Sequence, residues 1–237
     1  MRVAIHQPHY LPWLGLLHRM AAADLFIVLD HVQFERGNYQ NRTQVRVNGV
    51  PHWLTVPVLQ RSQQERIADK AIDWSRDWAL AHYETLRRAY TGGGYFGAYG
   101  PRLKGIYEQR WQRLADLNDA TLAFLRDALD IRTPLVKSSA LGASGAKSEL
   151  VLNLCKAVGA TSLIVGLGGS RAYLDGASFA EAGIALELQQ FEHPTYPQRG
   201  PAPFTPGLSA LDLLFNRGPD SRRRLQGYEP SECRIAA

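Results

Sequence analysis

Several short clusters of polar and glycine residues could do chemistry. His6 and Gln7 follow the apolar run Val3-Ala4-Ile5, and Asp30 closes the run Leu25-Phe26-Ile27-Val28-Leu29. A carboxylate beside an imidazole orients it and raises its pKa, so His6 paired with Asp30 would suit a general base. The competing reading has Asp30 capping a loop and His6 packed as a hydrogen-bonded core residue; spacing favours neither. Arg42, next to Asn41, carries the planar fork that grips a carboxylate or phosphate through two bonds, unless it is a surface arginine. Lys147 stands where a serine- and glycine-rich loop meets a helix start, a place for a flexible cation or simply a solvated loop. In Gly166-Leu167-Gly168-Gly169-Ser170 the amides of Gly168 and Gly169 could approach an anion. That stretch is neither a GxGxxG fingerprint nor a GxxxxGK[ST] loop, and a tight turn accounts for it as well. Gln7, Tyr10, Gln33, His193 and Tyr196, near the strand ends, join the candidate substrate-binding set. His6, His9, Asp30, His31 and His193 could also ligate a divalent metal, but they lack the i, i+4 histidine spacing of a helical zinc site. No metal site is assigned, and no cofactor is marked.

Positioning these residues requires strands that end together. Val3–His6 reads as a strand, Pro12–Ala23 as a helix and Leu25–Asp30 as a strand buried on both faces, which together make a βαβ unit. Residues 44–58 break the rhythm as a hairpin about Asn48-Gly49. Residues 75–129 are mostly helical, with interruptions expected at residues 91–94 and at Gly100-Pro101. Alternation then resumes, with strands at 134–137, 162–166 and 185–190 and helices at 147–158, 177–182 and 208–216. The pattern predicts an α/β fold with a mostly parallel, Rossmann-like sheet covered on both faces. Ligands bind such sheets beyond the carboxyl ends of the strands, where the polar clusters fall. We read 1–237 as a single domain with an insertion at about 36–130.

Composition sets the bounds. At roughly 150 residues per domain, 237 residues make one large domain. With 45% apolar and 21% charged residues, the chain falls outside disordered, collagenous and coiled-coil classes. Its two cysteines, Cys155 and Cys233, make no CxxC pair, which excludes a cysteine-based zinc site. The N-terminus has no signal-peptide pattern and no apolar run reaches the ~18 residues of a membrane span, so a cytoplasmic protein is expected. The net charge of +5 and pI of 9.3 admit nucleic acid as a partner. The basic residues are scattered, however, apart from Arg222-Arg223-Arg224, and no recognition helix or ribonucleoprotein motif is present.

His6-Gln7-Pro8-His9-Tyr10-Leu11-Pro12-Trp13-Leu14-Gly15 resembles the opening signature of the WbqC-like family, bacterial proteins often encoded among surface-polysaccharide genes. The likeness continues through Leu29–Phe34, Asn41-Arg42, Trp53–Val58, the glycines at 166–169, Tyr173-Leu174-Asp175, His193–Tyr196 and Leu208–Asn216, and it adds Tyr173 to the candidate substrate-binding residues. His9 departs from the asparagine of the usual pattern, which weakens a mechanism needing two histidines. The resemblance implies a cytoplasmic group transferase acting on an activated amino sugar, by aminoacyl or acyl transfer, in surface-polysaccharide (O-antigen) biosynthesis. The first βαβ unit is similar to nucleotidylyltransferase-like proteins, without their HxGH spacing. The expected partner is a small anionic or nucleotide-linked substrate. The alternatives are a nucleic-acid or tRNA-binding module and a non-catalytic scaffold of a biosynthetic complex.

Overall fold

The computed structural model describes residues 1–62, 64–92, 94–166, 168 and 173–225. Five strands, β1 (Arg2–His6), β2 (Leu25–Val28), β5 (Leu135–Lys137), β6 (Ser162–Val165) and β7 (Ala185–Leu188), form one all-parallel sheet in the order β5-β2-β1-β6-β7. Period-2 alternation puts Val3, Ile27, Leu163 and Val165 on one face and Ala4, Phe26, Val28 and Ile164 on the other. The first face is covered by α5 (Lys147–Ala157) and α6 (Gly176–Glu181), through Leu150, Val151, Leu154 and Phe179. The second is covered by α1 (Leu14–Ala21), α4 (Leu114–Ala128) and α7 (Ala210–Arg217), and its core runs on through α2 (Trp78–Tyr90) and α3 (Phe96–Tyr107). The short α8 (Ser221–Leu225) follows α7. No helix among the described residues is long and apolar enough to cross a membrane.

The antiparallel pair β3 (Arg42–Val47) and β4 (Val50–Thr55), with α2–α4, falls between β2 and β5 in sequence. Asn48 and Gly49 both take positive φ (51° and 83°), the backbone of a type I′ turn and the reason an Asn-Gly pair sits there.

Several boundaries differ from the sequence pattern, three of them for a reason visible in the hydrogen bonding. Residues 12 and 13 are not helical, because Ala210 donates to the Pro12 carbonyl (2.9 Å) and Trp13 bridges Ser209, tying the entry of α1 to α7. β2 ends at Val28, since the Asp30 N–H turns back onto the Val28 carbonyl (3.0 Å). Pro101 lies inside α3 and does not end it; the helix forgoes the one bond to the Gly97 carbonyl.

Candidate functional site

From β1 the chain builds outward through β2 to β5, and from β6 it builds the other way to β7. The carboxyl ends of β1 and β6 therefore flank a topological switch point, where open α/β sheets bind ligands. A cleft of about 700 Å³ opens there. β1 contributes Ile5, His6 and Gln7; β6 and its exit contribute Val165, Gly166 and Gly168; β7 leads to Gln189. Helix α1 adds Gly15 and Arg19, and the rim carries Glu35, Asn38, Tyr39 and Tyr173.

His6 Nδ1 lies 2.7 Å from the Gln7 carbonyl, an acceptor, so Nδ1 holds the proton and Nε2 the lone pair. Its ring meets His9 edge-on (centroids 4.5 Å apart), and His9 stacks on Tyr39 (5.5 Å). A short loop with a strained residue, Leu11 at φ 46°, places His9; Tyr10 N–H bonded to the Tyr39 carbonyl (3.0 Å) and Thr43 Oγ1 bonded to the Leu11 carbonyl (2.9 Å) hold it. The Gln7 side chain accepts from Gln40 Nε2 (2.9 Å). Gln189 Nε2 donates to the Gly15 carbonyl (2.7 Å), joining the end of β7 to the start of α1.

Arg19 is the cation of the cleft. It is only 6% exposed, on a helix otherwise lined by Leu14, Leu16, Leu17 and Met20. Its Nη1 lies 2.0 Å from where a side chain on Gly166 would begin, so any larger residue at 166 would push the guanidinium out of this position. Burial lowers its pKa to about 10. Burial, then His9 and Arg19, holds His6 well below the usual imidazole value, against the pull of its bond to Gln7. Burial and Arg19 lower His9 to about 3.

Of the residues that the sequence singled out, His6, Gln7, Gly168 and Tyr173 meet at this cleft. The others sit elsewhere. The register sets Val28 opposite His6, so Asp30 lies two residues beyond, and its carboxylate accepts from Ser138 Oγ (3.0 Å), Ser139 N (2.9 Å) and Ser139 Oγ (2.7 Å). Asp30 thus ties β2 to the turn after β5, and the orienting partner of His6 is the Gln7 carbonyl instead. Ser138 Oγ, donating to Asp30, accepts from His31 Nδ1 (2.6 Å). Tyr10 points into the helical core, bonding His82 Nδ1 (3.0 Å) and the Tyr107 hydroxyl. Asn41 Nδ2 bonds the Val56 carbonyl (2.8 Å), and Arg42 lies over the Trp53 ring (4.2 Å) on the hairpin. Gln33 pairs through its backbone with Arg66, and Lys147 opens α5 on the surface. His193 Nδ1 donates to the Pro194 carbonyl (3.0 Å), and Tyr196 hydroxyl donates to Asp212 (2.9 Å). Gly169 lies outside the described residues.

Sequence reasoning missed Arg19, Gln189 and Tyr39. For Arg19 a signal existed: an arginine four residues after Gly15, within a helix whose apolar residues already mark it as buried. Among the described residues, no three histidine, cysteine or acidic side chains gather as metal ligands. A second hollow of about 530 Å³ lies between α2 and α3 by Trp74 and Tyr83, away from the strand ends.

The buried histidines make stability pH-dependent. Burial also lowers His82, to about 4. The fold favours neutral imidazoles at 6, 9 and 82, whereas the unfolded chain takes up protons from about pH 6.5. Their contribution is complete above that pH and is lost as pH falls toward the folded values. Between pH 6.5 and 4.5 each histidine is expected to cost up to about 2–3 kcal/mol. Urea unfolding at pH 7.5, 6 and 4.5 checks this; a flat profile would contradict it.

Fold and cleft together define a doubly wound α/β protein with an open cleft at its switch point, the place where such sheets receive ligands. The chain belongs to the WbqC-like protein family, whose model matches residues 7–224. It is 32% identical over 223 residues to the uncharacterized protein Rv1507c of Mycobacterium tuberculosis, covering 93% of this chain and 95% of that one. No solved structure matches it.

Proposed function

We propose that this protein is a group transferase that joins an acyl or aminoacyl group to the amine of an activated, nucleotide-linked amino sugar, in surface-polysaccharide or related biosynthesis. The observation that carries the reading is His6 at the switch-point cleft, its Nδ1 proton bound to the Gln7 carbonyl. Nε2 is then the atom able to accept a proton at neutral pH, because burial keeps the ring uncharged. In the step, the substrate nitrogen attacks the acyl carbon, a C–N bond forms, and the bond to the leaving group breaks with its electron pair. The proton lost by the nitrogen passes to His6 Nε2 and from there to the leaving group. Gln7, Gly168 and Tyr173 are the residues placed to contact substrate; Asp30 acts through the fold, by fixing the β2 and β5 ends.

Membership in the WbqC-like family supports a biosynthetic role. The charge distribution supports a metabolite over nucleic acid, since within the basic triplet Arg222 pairs with Asp130, and Arg224 with Asp220 (2.8 Å). Incubation with nucleotide-linked amino sugars and acyl or aminoacyl donors, followed by mass spectrometry, tests the reading. A donor-dependent amide on the sugar is expected. Donor hydrolysis alone, or no product across the donor classes, would refute it.

A further inference from the structure

Arg19 is a buried cation that no carboxylate pairs with among the described residues. Moving a guanidinium out of water costs several kcal/mol unless it is paired and hydrogen-bonded. Among the described residues its Nε has no hydrogen-bond partner, and the titratable group that acts to favour its charge is the Tyr173 phenol, not a carboxylate. Glu35, the acid at the rim, is exposed and engaged by Asn38 Nδ2 (2.7 Å). A leucine in place of Arg19 would suit an apolar helix, so the cation serves something other than packing.

We propose that Arg19 binds a phosphoryl group of the ligand, at the floor of the cleft between the ends of β1 and β6. The proposal rests on this cleft being the substrate site and says which part of the substrate it holds. Three features converge on it. Gly166 leaves the guanidinium against bare backbone at the β6 exit. His6, which lines the cleft, lies in the electrostatic field of Arg19, as does His9 packed edge-on against it. The position is the one where open parallel sheets receive phosphates. A single guanidinium fork satisfies a carboxylate, whereas a phosphoryl group offers three oxygens and up to two charges, which suits a guanidinium sharing the cleft with the His6 imidazole and the Gly168 backbone. An arriving dianion would offset the Arg19 field, which adds to burial in keeping both rings neutral, and leave His6 more basic once substrate is bound.

The test compares the full chain with Arg19→Met and Arg19→Lys, measuring the affinity of inorganic phosphate and acetate by calorimetry and ligand-free melting temperature by scanning. Phosphate is expected to bind the wild type more tightly than acetate does. Arg19→Met is expected to weaken phosphate at least about tenfold, the loss of one charge-assisted contact, with a ligand-free melting temperature equal to or above wild type. Arg19→Lys, keeping the charge without the fork, should fall between. The proposal is overturned if the wild type does not bind phosphate, if acetate binds as tightly, or if Arg19→Met binds phosphate as well as wild type. It is also overturned if both variants melt far below wild type, which would make Arg19 a structural ion. Phosphate binding lost in Arg19→Met, with no amide formed by wild type, would keep the phosphoryl site and discard group transfer. Amide formation with phosphate affinity unchanged in Arg19→Met would do the reverse.

Discussion

With His6 as the general base of the proposed transfer, His6→Ala is expected to lower turnover by about 10²- to 10⁴-fold, the range for removing a positioned general base. The fall is in kcat, with KM little changed, because the proton is transferred only in the transition state. His6→Gln, which keeps a side chain of similar size but has no basic nitrogen, should lose as much and so separates loss of the base from loss of packing. Rates on the amino-sugar substrate check the expectation; a His6→Ala protein with full turnover would remove His6 from the chemistry.

Asp212→Ala destabilises the fold by about 3–5 kcal/mol, the scale for breaking a buried charged network. The carboxylate is fully buried at the start of α7, where it accepts from Tyr90 hydroxyl (2.8 Å), Tyr196 hydroxyl (2.9 Å) and Gln198 Nε2 (2.7 Å). Arg46 of β3, itself buried, acts on it electrostatically. Burial raises the carboxyl pKa, and these donors and the arginine oppose that. Alanine would strand three donors and leave the Arg46 charge without its counterpart. Chemical denaturation measures the loss; a change below about 1 kcal/mol, within the range of ordinary surface substitutions, would show that the network does not lock α7 to α2 and the hairpin.

The sheet was legible because its signals are local. The run Leu25–Leu29, the Asn48-Gly49 turn and the return of strand–helix alternation after residue 130 are each read within about ten residues. The strand ends, and with them His6, Gln7 and Gly168, followed from parallel topology, whereas Tyr173 came only with the family resemblance. The pairings were not legible, because each depends on register or on a distant element. Asp30 fell two residues past His6 once β1 and β2 were aligned. His193 and Tyr196 belong to the wall around Asp212, a residue far along the chain that no motif flagged. Arg19 looked like an ordinary basic residue in the last turn of a helix. Its place in the cleft wall, against Gly166 of the β6 exit, is set by the packing of α1 on the sheet.

The central claim is that the switch-point cleft between β1 and β6 is where substrate binds. Imidazole NMR of the full chain, titrated with a nucleotide-linked amino sugar, tests it most directly. The resonances of His6 and His9 are expected to move together and saturate, while those of His52 and His82, on the hairpin and α2, stay in place. Saturable movement of His52 or His82 with His6 and His9 unmoved would contradict the account and place the ligand elsewhere.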